Sequence, residues 1–299
     1  MSISLSFSYP ILLLLTSSFL AQAIVPKAKT FRYVNKGFYG EYEDEYGSNY
    51  RLLFDLQVPN FAMCFYNTTP GAYTLGIRMG SRPEDSTSNI MKWVWAANRN
   101  KLVGENATLT FGADGNLVLA HANGKVAWQT NTANKGVVGL KLLSTGNLVL
   151  VDKSGKFVWQ SFDYPTDSLL VGQGLRNGGI TKLVSRVSNK DGSEGAYSLV
   201  LEKDRLALYK KKSSKLVLLH SYGNVQGSTV NSVVLRSAPA SDLSLNFILS
   251  KSTSAVTLVK PNYNSTLSFL RVESDRNVRV YTYAEEKKYG AWNTTYHLY

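Results

Sequence analysis

Residues 112–132 read GADGNLVLAHANGKVAWQTNT, and residues 143–163 read LSTGNLVLVDKSGKFVWQSFD. Asn116 and Asn147, Gly124 and Gly155, and Trp128 and Trp159 each stand 31 residues apart, so three landmarks keep one register. Upstream, Val94-Trp95-Ala-Ala-Asn98-Arg99 repeats the end of the unit, with Trp95 lying 33 residues before Trp128. Each unit is a pair of short apolar runs around a Gly-containing turn, the pattern of strands rather than of a helix. Side chains alternate along a strand, so Leu117 and Leu119 face one way while Asn116, Val118 and Ala120 face the other. Three small sheets packed about a pseudo-threefold axis, with Trp95, Trp128 and Trp159 at the centre, bury what a single sheet cannot. The expected fold is all-β, a β-prism.

The remainder of the chain continues the pattern. Val/Leu/Phe/Tyr/Trp runs broken by Gly-Asn, Asn-Gly and Ser-Gly recur about every ten residues, without sustained 3.6-residue periodicity after the first two dozen positions. The best later remnant of the unit is Leu270-Arg-Val-Glu-Ser-Asp275-Arg-Asn277-Val-Arg279-Val-Tyr281, followed by Trp292. Asn277 precedes Trp292 by 15 residues where Asn116 precedes Trp128 by 12, which predicts a hairpin three residues longer.

Length and composition exclude several classes. At 299 residues the chain suits one large or two ordinary domains. Charged residues are 18% and hydrophobic ones 44%, which argues against disorder. One Cys forbids an intramolecular disulfide framework and a Cys-based zinc site, and His121, His220 and His297 are too scattered to suggest metal catalysis. No cofactor is expected. The net charge of +12 implies attraction to a polyanion.

The start of the chain narrows which polyanion. Tyr9–Leu20 is an apolar run bounded by Ala21-Gln22-Ala23, a small-x-small site, so residues 1–23 read as a secretory signal peptide. The run is shorter than a membrane span requires. Four sequons, at Asn67, Asn106, Asn264 and Asn293, fit N-glycosylation of an exported chain. Export removes nucleic acid from consideration and leaves cell-wall polysaccharide or an extracellular protein as partner. Cys64, inside the apolar segment Phe61–Tyr66, reads as a buried thiol.

The residues resemble a known family. The pattern Gln-x-Asp-x-Asn-x-Val-x-Tyr is the mannose-binding signature of bulb-type lectins, and VWAANR, NLVL and VWQSFDYPTDSLL are similar to plant S-domain proteins carrying that module. YVNKGFYGEYEDEYGSNYR, MCFYNTTPGAYTLGIRMG and VGENATLTFGADGNLVLA resemble the epidermis-specific secreted glycoproteins of plants. The resemblance covers nearly all of the chain after residue 23. It implies tandem β-prism II modules, here 24–166 and 167–299, followed by a Cys-rich region; this sequence has no Cys after Cys64.

Position by position, the sugar signature is eroded. In the first copy Gly112 stands for Gln, Asp114, Asn116 and Val118 are kept, and Ala120 stands for Tyr. In the second, Leu143, Thr145 and Val151 replace Gln, Asp and Tyr, while Asn147 and Val149 remain. In the third, Glu273 takes the Gln place, Asp275, Asn277 and Tyr281 stand, and Arg279 replaces Val. A shallow monosaccharide site works near millimolar, about −4 kcal/mol, and each lost hydrogen bond removes on the order of 1 kcal/mol. Two lost partners therefore abolish useful mannose affinity in the first copy. The third is the one active lectin face the sequence supports, with Arg279 and Glu273 suited to an acidic sugar. Against that stands a plainer role for Asp-x-Asn, closing the turn before each strand.

Other features are weaker. Asp163 and Asp167 form the one tempting carboxylate pair for glycoside hydrolysis, but they sit in a Pro-containing turn, and no nucleophile elbow or phosphate loop accompanies them. The expectation is a non-enzymatic protein. Lys210-Lys211-Lys212 with Lys215 reads as a basic hairpin tip, and with Lys287-Lys288 it suggests retention on pectin, mannose-containing glycan being the other wall candidate. The acidic segment Glu41–Glu45 reads as a flexible loop rather than a cation site.

Overall fold

A computed structural model describes residues 24–41, 43–80, 91–225, 227–237, 242–250, 252–260, 266–284 and 291–299. The leader, Asn264 and the Lys287-Lys288 pair lie outside them.

The chain is built of short antiparallel strands. The first eleven are β1 (Phe31–Val34), β2 (Asn49–Val58), β3 (Phe61–Thr69), β4 (Ala72–Met79), β5 (Lys92–Ala96), β6 (Thr108–Phe111), β7 (Leu117–Ala120), β8 (Val126–Gln129), β9 (Val137–Leu142), β10 (Leu148–Asp152) and β11 (Phe157–Gln160). They form three sheets, β1-β6-β7-β8, β2-β3-β4-β5 and β11-β10-β9. The next twelve are β12 (Ser168–Leu170), β13 (Gly174–Arg176), β14 (Lys182–Arg186), β15 (Glu194–Leu201), β16 (Leu206–Lys212), β17 (Lys215–Tyr222), β18 (Val230–Ser237), β19 (Leu243–Leu249), β20 (Thr253–Val259), β21 (Ser268–Val272), β22 (Val278–Ala284) and β23 (Ala291–His297). They form three more sheets, β12-β21-β22-β23, β13-β18-β19-β20 and β14-β15-β16-β17. The fold is all-β, two prisms of three sheets in tandem.

The repeat seen in the sequence is a repeat in register. Leu119 faces Trp128, Leu150 faces Trp159, and Ile77 faces Trp95, and in each hairpin the pairing slips by one residue just beyond that pair. Such a bulge re-aims the strand and sharpens its twist, turning each indole toward the axis. There the three rings meet edge to face, with centroids 5.9, 6.3 and 5.9 Å apart and interplanar angles of 72–75°. Edge-to-face pairs contribute about 0.5–1.5 kcal/mol each beyond their burial. Leu117, Leu119, Leu148 and Leu150 fill the core around them. Gly115 and Gly146 precede the repeat asparagines at φ 79° and 81°. A Cβ at Gly115 would meet Val137 at 2.6 Å, and one at Gly146 would meet Phe61 at 2.5 Å, so both turns require glycine.

The second prism keeps the register but not the tryptophans. The same slip follows Leu208 opposite His220, Leu243 opposite Val259 and Val280 opposite Tyr296. Tyr296, not Trp292, therefore holds the position equivalent to Trp128. The β22–β23 hairpin is seven residues longer than β7–β8, rather than the three expected from the Asn277 to Trp292 spacing. Trp292 lies near the start of β23, opposite Tyr283, with its ring 5.4 Å from Phe269. Tyr296 instead meets Tyr222, hydroxyl to hydroxyl at 3.1 Å.

The sheet β12-β21-β22-β23 serves both cores, because successive residues point to opposite faces. Leu170 and Phe269 join the first core, while Leu169 and Leu270 join the second.

Asp44 and Glu45, at the end of the acidic segment, are held in place, which corrects their reading as part of a flexible loop, while Glu41 and Glu43 are exposed. Glu45 accepts from Arg271 Nη1 at 2.9 Å and Lys92 Nζ at 2.9 Å, and the Trp93 amide donates to its other oxygen at 3.0 Å. Arg271, 1% exposed, also donates to the Tyr46 hydroxyl and the Trp93 carbonyl. Asp44 pairs with Arg78 at 3.0 Å. From the other side, Arg99 donates to the carbonyls of Val184, Ser185 and Gly192 at 2.8–3.0 Å. Sequence patterning misses these contacts because the partners are up to 226 positions apart.

Candidate functional site

Asn116, Asn147 and Asn277, the asparagines of the sugar signature, each stand immediately before a strand and are bonded within the fold. Asn116 Nδ2 donates to Gln129 Oε1 at 2.9 Å, while its Oδ1 accepts from the Thr130 hydroxyl and the Thr132 amide at 3.0 and 3.1 Å. Asn147 repeats the arrangement, donating to Gln160 at 2.8 Å and accepting from the Ser161 hydroxyl and the Phe162 amide, both at 3.2 Å. Asn277 donates to the Tyr299 carbonyl at 2.7 Å and accepts from the Leu298 and Tyr299 amides at 2.8 and 3.3 Å. In all three sheets one asparagine ties the start of a strand to the chain emerging from its hairpin partner. Each is 4–7% exposed, so an unmet amide there would carry a desolvation cost.

The rest of each face follows suit. Asp114 Oδ1 accepts the Asn116 amide at 3.0 Å, and Asp275 Oδ1 accepts that of Asn277 at 3.1 Å, two turn closures of one kind. Val118 is half-buried and Val149 fully buried. Arg279 folds onto Asp275, Nη1 to Oδ1 at 3.0 Å and Nη2 to Oδ2 at 2.5 Å, and these bonds hold the Asp275 carboxyl below its ordinary range. Tyr281 donates to Glu273 Oε1 at 2.7 Å, its ring covered by Lys92 Nζ at 4.6 Å and stacked on Phe269 at 5.2 Å.

A fourth face escapes the sequence reading. Pairing of Ile77 with Trp95 puts Thr74, Gly76 and Arg78 at the positions of Asn116, Val118 and Ala120. Twenty-one residues separate Thr74 from Trp95 against 12 in the first copy, and this longer connection hides the repeat. A Cβ on Gly76 would meet the Tyr66 ring at 2.8 Å, and Arg78 is held by Asp44. The only signal of this face in the sequence is VWAANR.

The other candidates are dispersed. Asp163 pairs with Arg176 at 3.0 Å, and Asp167, 6% exposed, accepts from the Ser168 hydroxyl at 2.9 Å. His220 lies against Tyr222 at 4.7 Å, and no group of three His, Cys, Asp or Glu able to hold a metal occurs among the described residues. Of the sequons, Asn106 is exposed in a positive-φ turn, Asn293 is half-buried, and Asn67 is 6% exposed within β3. Cys64 is fully buried, and burial pushes its thiol up to about 12, Arg78 opposing and Asp44 adding. Lys210–Lys212 and Lys215 flank a two-residue turn between β16 and β17, with Lys211, Lys212 and Lys215 exposed. Among the described residues no helix is long and apolar enough to cross a membrane.

Comparison with known proteins gives these faces their context. Residues 92–191 match the D-mannose binding lectin family. The chain is 51% identical to epidermis-specific secreted glycoprotein EP1 of Daucus carota over 289 residues, covering 92% of this chain and 73% of that one. The chain belongs to the family of EP1 and the EP1-like glycoproteins. EP1-like glycoprotein 3 of Arabidopsis thaliana is 48% identical, covering 99% of this chain and 68% of its own length. Beyond the EP1 family the likeness is shorter: a G-type lectin S-receptor-like serine/threonine-protein kinase of Arabidopsis thaliana is 32% identical over 137 residues, 45% of this chain and 16% of that one. The solved two-domain, fetuin-binding agglutinin of Scilla campanulata covers 84% of this EP1-family chain and 96% of its own at 17% identity, with a TM-score of 0.27.

Proposed function

We propose that this EP1-family chain is a secreted, non-enzymatic, wall-associated glycoprotein whose mannose faces have become structural and whose basic surface holds cell-wall polysaccharide or an extracellular protein. The internal bonding of Asn116, Asn147 and Asn277 carries the reading. On it, the positions that would meet a sugar already satisfy one another, and the division into modules 24–166 and 167–299 serves stability. The name of the Daucus carota relative, a secreted glycoprotein, supports export. Cleavage after residue 23 and glycans at exposed sequons such as Asn106 belong to the same proposal. Asp163 pairs with Arg176 and the buried Asp167 accepts from Ser168, partnerships that favour a binding role over hydrolysis.

The polyanion reading draws on charge placement. Asp44 and Glu45 are consumed inside the protein, whereas Lys211, Lys212 and Lys215 project into solvent. Attraction of this kind is screened within about 10 Å at 0.1 M salt. The glycosylated chain is therefore expected to be retained on a polygalacturonate column at low salt and released by a salt gradient. Replacing Lys211, Lys212 and Lys215 with Gln should bring elution to lower salt. Passage of the unsubstituted protein through the column at low salt refutes the reading.

A further inference from the structure

A cleft beside Phe162 adjoins the Asn147 face, sharing Gln160 with it. It encloses about 270 Å³, just below the roughly 300–1,000 Å³ of drug-sized ligand sites and suited to one small ring. One wall is the turn Ser161–Asp163, which closes the second repeat. The other is β13, the turn after it, and β18. Phe162 and Ile180 give apolar sides, with Gln160, Asp163, Arg176 and Ser232 between them.

Gln160, Asp163 and Arg176 are joined in one chain of bonds, with the Arg176 side chain about half exposed. Asn147 donates to Gln160 Oε1 at 2.8 Å, and Gln160 Nε2 donates to Asp163 Oδ1 at 3.1 Å. Arg176 Nη2 lies 3.0 Å from the same Oδ1. None of these bonds uses Asp163 Oδ2. From beneath, Gln173, 3% exposed, donates to the Phe162 carbonyl at 3.3 Å and accepts the Leu170 amide at 3.0 Å, which sets the backbone carrying the Phe162 ring. The Arg176 amide donates to the Ile180 carbonyl at 3.1 Å, keeping Ile180 at the rim.

We propose that this cleft binds one neutral sugar residue through a vicinal pair of hydroxyls, one donating to Asp163 Oδ2 and one accepting from Arg176, with a C–H face resting on Phe162 and Ile180. A carboxylate that accepts and a guanidinium that donates match a diol, each hydroxyl being both donor and acceptor. A uronate meets repulsion from Asp163, and Arg176 is already neutralised by it. The inference deepens the polysaccharide reading and rests on it: the basic surface gathers acidic polymer without discrimination, and the cleft selects a neutral unit. One ring with two anchored hydroxyls predicts millimolar affinity.

The test is calorimetric titration of the whole glycosylated protein with methyl glycosides of glucose, galactose, mannose, xylose, arabinose and rhamnose, and with methyl galacturonate. Thermal melts verify the fold of every variant. At least one neutral glycoside is expected to bind saturably, weakened about tenfold or more by Asp163→Asn. Ile180→Asp, at the rim and outside the hydrogen-bond chain, should weaken it likewise. Neutral binding untouched by Ile180→Asp, binding of galacturonate alone, or no glycoside binding overturns the cleft. Retention on polygalacturonate, measured on the same preparation, separates the two claims: a retained protein that binds no glycoside refutes the cleft alone, and an unretained one refutes the charge reading.

Discussion

Arg271 on β21 and Glu45 ahead of β2 form an ion pair at 2.9 Å, with side chains 2% and 10% exposed, and it joins the sheets of one prism to those of the other. Taking two charges out of water costs several kcal/mol per ion, repaid only when the remaining donors and acceptors are met. Here they are, through Lys92, Trp93, Tyr46 and Ser168. Glu45→Gln leaves Arg271 buried and unbalanced and should cost about 3–5 kcal/mol in urea unfolding. Glu45→Gln with Arg271→Met should cost less than the sum of the single changes. Additive losses would mean that the two do not act as a pair.

The same pair sets an acid limit. Burial raises the Glu45 carboxyl, but the charges of Arg271 and Lys92 and their hydrogen bonds outweigh it and hold it at about 2, against 4.5 for an ordinary glutamate. A folded-state value below the unfolded one stabilises the protein above about pH 4.5, and that contribution is lost as pH falls toward 2. It amounts to about 3 kcal/mol. Stability measured between pH 6 and pH 2.5 should fall more steeply for the parent chain than for Glu45→Gln, and equal slopes would contradict the assignment.

The asparagine clamps make a prediction that separates fold from ligand. Asn116→Ala, Asn147→Ala and Asn277→Ala should each lower stability by about 1–3 kcal/mol, because each strands buried amides and hydroxyls. A residue kept only for sugar contact would leave the melting temperature unchanged.

Trp95, with its indole N–H donating to the Tyr164 carbonyl at 2.9 Å, closes the triangle with Trp128 and Trp159. Trp95→Ala should cost about 3–5 kcal/mol and remove the coupled near-ultraviolet circular dichroism of the edge-to-face indoles. A retained spectrum would place the three rings apart.

For the sequons, Asn106→Gln is expected to remove one glycan's mass from protein made in plant cells. Asn67→Gln is expected to remove none, its side chain lying inside the sheet. Mass spectrometry of the two variants decides, and an occupied Asn67 would contradict the burial.

The parts of the fold legible in the sequence are those carried by short-range chemistry. In the copies at 112–132 and 143–163 the Gly-Asn turn, the alternating Leu and the Ala-Trp or Val-Trp strand end span about a dozen residues, and the copies recur 31 residues apart, so periodicity alone gives the prism and its central indoles. Tyr296 was hidden because a longer hairpin moved the register-equivalent residue away from the obvious Trp292. The fourth face was hidden by the long connection between β4 and β5. Glu45 was misread because its partner Arg271 lies more than two hundred residues away, and no local pattern announces a long-range ion pair. The sugar signature gave the positions of Asp275, Asn277 and Tyr281 but not the partners that engage them, since Arg279, Glu273 and the Tyr299 carbonyl close that face only in three dimensions.

The surviving signature asparagines hold strands together instead of holding mannose. Side-chain amide signals of Asn116, Asn147 and Asn277, followed by nitrogen-15 correlation spectra while mannose is raised well past about 10 mM, test it most directly. Three signals that do not move and exchange slowly with solvent are expected. A saturable shift at any one of them would contradict it.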